Sequence, residues 1–95
     1  MIKVIAKSFT KENEIEKVLE LAKELVEATV QEEGCISYEM YQDEKDPKIL
    51  IMVEEWETIE ALNKHMASEH FVKIVPQMNE HRDQKSELNI CKRVL

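Results

Sequence analysis

One glycine, two prolines and two cysteines are all that the 95 residues contain of the types that bend or cross-link a chain. With so little Gly and Pro, long flexible linkers are not expected, and the length suits a single small domain over residues 1–95. Cys35 and Cys91 lie far apart in strand-like segments without C-x-x-C spacing. They read as two reduced thiols rather than a disulfide or a metal knuckle. Basic residues are also in deficit. Thirteen Lys and Arg against twenty Asp and Glu leave a net charge of −7, which argues against nucleic acid because phosphate binding needs a basic face. No apolar run approaches the roughly 20 residues of a membrane span, so no membrane partner is expected. The opening Met1-Ile2-Lys3-Val4-Ile5 is a strand pattern and not the apolar core of a signal peptide. The expected location is the cytoplasm. A lone glycine leaves no dinucleotide fingerprint and no phosphate loop. No nucleophile–base–acid series is visible, and the acidic surface reads only as a solvated face.

What is present is periodic pattern. Residues 2–9 alternate as a strand, with Ile2, Val4 and Ala6 on one side and Lys3, Ile5, Lys7 and Phe9 on the other. Thr10 is placed to cap a helix over Lys11 to Glu33, whose stripe is Ile15, Val18, Leu19, Ala22, Leu25, Val26 and Thr29. Gly34 sits where that helix wants a left-handed terminus. Cys35 to Tyr41 reads as a second strand and Asp43 to Pro47 as a turn. Ile49 to Val53 is an apolar third strand. Thr58 caps a short helix bearing Ile59, Leu62 and Met66 on one face. The helix breaks near Ser68 and resumes through Phe71, Val72, Ile74 and Val75, with Pro76 at a kink or break. His81 to Gln84 reads as a polar connection and Glu87 to Leu95 as a final strand.

The order β-α-β-β-α-β predicts a ferredoxin-like α+β fold, with an antiparallel sheet and both helices on one face. Strands 1 and 3 are nevertheless apolar on both sides. Ile5 and Phe9, and the two alternating sets of the third strand, require a second cover. A second copy of the chain is the simplest one, which predicts a homodimer through the open sheet face.

The stretch from Ile49 to Phe71 carries the chemistry. Here a strand end delivers Trp56 and the next helix delivers His65, an aromatic platform beside a near-neutral proton acceptor. Three pieces of sequence, Glu32-Glu33-Gly34-Cys35-Ile36-Ser37-Tyr38, Val53-Glu54-Glu55-Trp56-Glu57-Thr58 and Ala61-Leu62-Asn63-Lys64-His65 with Ser68-Glu69-His70-Phe71, resemble the antibiotic biosynthesis monooxygenase family in order and spacing. The resemblance covers nearly the whole chain. It implies a dimeric α+β barrel and, for many members, oxygenation of a quinol or polyphenol with neither metal nor flavin. It does not fix the activity, because one scaffold hosts several chemistries. A branch of similar fold that breaks down haem uses an Asn on the first strand with a Trp and a His on the second helix. Met1 to Phe9 has no Asn, and Trp56 precedes that helix.

Dioxygen reacts slowly with closed-shell molecules, so a substrate oxidised without a cofactor must first become an electron-rich anion. His65 is the candidate base for that step; the alternative is a structural hydrogen bond. Trp56 is either a wall for a planar ring, with its indole N–H donated to an oxygen, or a core residue. Tyr38 either orients a quinol oxygen or packs. Glu54 shares alternation with Leu50, Met52 and Trp56; it is either a second acid/base or, as the rarity of buried Glu favours, a residue reaching solvent at the strand end. Met40, Met52, Met66 and Phe71 would line an adaptable apolar pocket or simply fill the core. On an ideal helix His70 lies about 140° from His65, which makes no two-histidine metal face. His65 with Glu69 supplies only two ligands, and His81 reads as solvated. No metal and no cofactor are expected. Two other functions remain open. One is isomerisation of a small phosphorylated keto-sugar, for which Lys64, Lys73, Arg82 and Arg93 are the candidate phosphate partners. The other is a ligand-binding dimer without turnover.

Overall fold

A computed structural model describes all of residues 1–95. Its elements are β1 (Ile2–Thr10), α1 (Ile15–Thr29), β2 (Cys35–Gln42), β3 (Ile49–Trp56), α2 (Ile59–Met66), α3 (Glu69–Asn79) and β4 (Arg82–Lys92). The four strands form one antiparallel sheet in the order β2-β3-β1-β4. This is the ferredoxin-like α+β arrangement that the order of elements implied.

β3 sets the two faces. Leu50, Met52, Glu54 and Trp56 are buried, while Ile49, Ile51, Val53 and Glu55 between them are half-buried. The period of two therefore holds along the whole strand. The buried set meets Val4 and Ala6 of β1 and Tyr38 and Met40 of β2 across the sheet, and Leu25, Leu62 and Ile74 of the three helices close the core above it. In a single chain the other side, with Ile5, Phe9, Ile51 and Val53, has no helix over it.

Several boundaries differ from the periodic reading. Thr10 does not cap a helix. It ends β1, fully buried, with its N–H donated to the Lys48 carbonyl at 2.8 Å. A 3-10 turn over Glu12–Glu14 precedes α1 without a side-chain cap. α1 stops at Thr29, and residues 30–34 form a turn closed by Gly34 at φ 86°. A Cβ at Gly34 would stand 2.6 Å from the Ala61 Cβ, so this position needs glycine for conformation and for room. The Asp43–Pro47 turn is as expected, with the Asp43 carboxylate accepting from the Lys45 and Asp46 N–H groups. β4 begins at Arg82, so most of the expected polar connection is strand. Pro76 lies within α3. His81 is not solvated; its Nδ1 meets Glu14 Oε1 at 2.6 Å. Cys35 and Cys91 lie on β2 and β4, the two outer strands, three strand spacings or about 14 Å apart. That is too far for a bond between them. No helix is long and apolar enough to cross a membrane.

Candidate active site

The site is built where α2 hands over to α3. Thr58 caps α2 by accepting the Ala61 N–H at 3.1 Å. α2 ends at Met66, after which Ser68 starts α3 with its hydroxyl accepting the Phe71 N–H. The same hydroxyl donates to the His65 carbonyl at 2.6 Å. This break removes the ideal-helix geometry that kept His65 and His70 apart. Both rings turn to one carboxylate. His65 Nδ1 and His70 Nε2 each lie 2.7 Å from Glu32 Oε2. Glu32 reaches them from the turn that Gly34 closes, and no periodic signal marked it, because it lies in neither a stripe nor a strand. The two histidines thus converge, contrary to the sequence expectation.

A carboxylate only accepts hydrogen bonds, so Nδ1 of His65 carries the proton. In the neutral ring Nε2 is then a bare lone pair. That atom is buried and has no partner in the protein. His65 itself is only 1% exposed, boxed by Trp56, Phe71 and Tyr38 at ring-centroid distances of 4.7, 5.0 and 5.2 Å. Burial pushes its pKa down and favours the neutral base, against the opposing pull of Glu32.

His65 borders a cavity of about 250 Å³ between the sheet and the helices. Tyr38, Met40, Met52, Glu54, Met66 and Phe71 line it as well. Burial holds the Tyr38 phenol well above its ordinary pKa, so it stays protonated. Trp56 does not line the cavity. It stands behind His65 with zero exposure, and its indole N–H goes to Glu54 Oε1 at 2.9 Å. Glu54 does not reach solvent either. It is 6% exposed, and burial raises its pKa to about 7 although the Trp56 N–H pulls the other way and Glu32 adds to the rise. Burial likewise pushes Cys35 up to about 11, which leaves no thiolate at neutral pH. Of Lys64, Lys73, Arg82 and Arg93, Arg82 alone borders the cavity, and its guanidinium is bonded to Ser86.

Glu32, His65 and His70 place three ligand atoms within 4.8 Å, the donor set of a two-histidine, one-carboxylate cation site. These atoms already satisfy one another through the two 2.7 Å bonds. To take a cation at these atoms, both histidines would give up their bonds to Glu32.

The antibiotic biosynthesis monooxygenase family model matches residues 1–77. The chain belongs to this family. A solved structure described as an antibiotic biosynthesis monooxygenase is 42% identical, with full coverage of both chains and a TM-score of 0.96. A conserved protein from Methanosarcina mazei Go1 is 40% identical over 98% of this chain and 92% of its own, also with a TM-score of 0.96. The uncharacterized protein sll1783 of Synechocystis is 29% identical over 77 residues, 81% of this chain. The chain spans 52% and 63% of the length of the curated relatives it matches. The family membership agrees with the order and spacing of the three motif pieces.

Proposed function

We propose that this monooxygenase-family protein oxidises a quinol or polyphenol with dioxygen and no prosthetic group, His65 acting as the base. The observation that carries the reading is the buried, unpartnered Nε2 of His65, a residue that borders an apolar cavity. A buried polar atom without a partner costs free energy, and a substrate hydroxyl would satisfy it. Proton transfer from that hydroxyl to Nε2 makes the phenolate, whose charge and electron density make transfer of an electron to dioxygen possible. Met40, Met52, Met66 and Phe71 offer an apolar wall for a planar ring, and Tyr38 a hydroxyl that stays a donor. Glu32 holds the tautomer, His70 holds Glu32, and Trp56 holds the imidazole from behind.

The protein acts as a homodimer in this reading. The half-buried Ile5, Phe9, Ile51 and Val53 of the open sheet face would be covered by a second copy. A cytoplasmic location fits two unpaired thiols. Oxygen uptake by metal-stripped protein with a panel of hydroquinones tests the function. Uptake above the spontaneous rate is expected, falling by about 10²–10⁴-fold in His65→Ala. Uptake unchanged by the substitution would remove His65 from the chemistry. No uptake across the panel would remove the function and turn attention to phosphorylated keto-sugars or binding without turnover.

A further inference from the structure

We propose that Glu54 is the acid of the oxygenation and delivers a proton to the peroxide that dioxygen forms on the substrate ring. This rests on the reading of His65 as the base. The geometry behind it is a pair of ionisable groups at one cavity, both fixed by one tryptophan. Trp56 packs its ring 4.7 Å from the His65 ring and gives its N–H to Glu54 Oε1. Glu54 pairs across the sheet with Val4 on one side and Tyr38 on the other, and all three border the cavity. Oε1 is engaged by the indole, which leaves Oε2 for a ligand. No Lys or Arg pairs with this carboxyl. Glu32, from the turn after α1, is the charged group acting on it; Cys35 and the neutral phenol of Tyr38, both on β2, lie within its field, and His65 on α2 borders the same cavity. A buried carboxyl with no cation and a carboxylate neighbour is held toward its neutral, proton-donating form.

The steps balance with dioxygen as the oxidant. His65 Nε2 takes a phenolic proton from a hydroquinone. The phenolate passes one electron to dioxygen, giving a semiquinone radical and superoxide. The two radicals combine in a new carbon–oxygen bond at the ring carbon beside the former phenolate. The terminal peroxide oxygen takes the Glu54 proton. The hydrogen on that ring carbon then leaves as a proton to the Glu54 carboxylate, its electron pair forms the new carbonyl, and the oxygen–oxygen bond breaks. The departing hydroxide takes the His65 proton as water. Hydroquinone and dioxygen become hydroxyquinone and water, and both residues return to their starting states.

Glu54→Gln tests this, because the amide keeps an oxygen for the Trp56 N–H and loses the acidic proton. Under nitrogen, Glu54→Gln is expected to bind hydroquinone as the phenolate like the unaltered protein, read by its absorbance, whereas His65→Ala is not. In air, Glu54→Gln is expected to turn over about 10²-fold more slowly. It is also expected to release a larger share of the consumed oxygen as superoxide or hydrogen peroxide. Unaltered rate and coupling in Glu54→Gln would overturn the assignment while leaving His65 as the base. Absence of phenolate in the unaltered protein would instead overturn the base, and the acid with it. A second measurement needs no variant: infrared difference spectra between about pH 6 and about pH 8 should show a carboxylic C=O band that disappears as pH rises, above the ordinary carboxyl range. No such band would overturn the proposal.

Discussion

At the residue scale the site consists of two ionisable side chains shifted in opposite directions by the same burial. His65 is pushed down toward its neutral form, and Glu54 is pushed up to about 7. With His65 as the proposed base and Glu54 as the proposed acid, the neutral forms of both coexist over a narrow range, and a bell-shaped pH dependence is expected. The acidic limb comes from His65, faced by Glu32 and His70. The alkaline limb comes from Glu54, faced by Trp56 and Glu32, and is expected near pH 7. Trp56→Phe removes the indole N–H that lowers the Glu54 pKa, so the alkaline limb of the kcat/KM profile should move up; an unmoved limb would separate Glu54 from it. The two groups also have opposite effects on folding. Glu54 has a raised folded pKa, so its contribution is present below its ordinary 4.5 and lost as pH rises through about 7. His65 has a lowered folded pKa, so its contribution is present above 6.5 and lost as pH falls. His65 was legible in the sequence as the one histidine beside an apolar stripe. Glu32 was not, because its role depends on the turn that brings it back over α2. The burial of Glu54 was legible from strand parity, but the rarity of buried Glu argued the other way. What overrides that rarity is the Trp56 N–H two residues along the same face.

At the scale of elements, the site depends on two interruptions rather than on regular structure. One is the break between α2 and α3, where Ser68 bonds backward to His65 and forward to Phe71. The other is the turn at Gly34, where φ is 86° and Ala61 of α2 leaves no room for a Cβ. Gly34→Ala should cost about 1–2 kcal/mol from the left-handed backbone alone. The clash with Ala61 adds to this. Lower thermal stability together with reduced turnover is expected, because the same turn carries Glu32; an unchanged melting temperature would contradict this account of the turn. The strands, helices and their order followed from periods of 2 and 3.6 with Pro, Gly and cap residues as punctuation. The start of β4 was missed because Arg82 to Ser86 is a polar stretch in an outer strand, where hydrogen bonding to β1 rather than side-chain burial sets the structure. The early end of α1 was missed because the 30–34 turn continues its polar composition.

At the scale of the molecule, helices cover one sheet face over β1, β2 and β3 but leave Leu88 and Ile90 of β4 exposed on it, and the other face keeps Ile5, Phe9, Ile51 and Val53 half-buried with no helix over them. Light scattering at micromolar concentration is expected to give the mass of two chains; a monomer would remove the interface argument. The cavity, by contrast, is lined within one chain by the sheet on one side and by α1, α2 and α3 on the other, and it opens to solvent beside the exposed Leu88 and Ile90 of β4. The most direct test of the whole account is turnover of a hydroquinone under isotopically labelled dioxygen, followed by mass spectrometry of the product. The account requires one labelled oxygen atom per hydroxyquinone formed, with the labelled product lost in His65→Ala. A product carrying no label, formed at the same rate by both proteins, would contradict it.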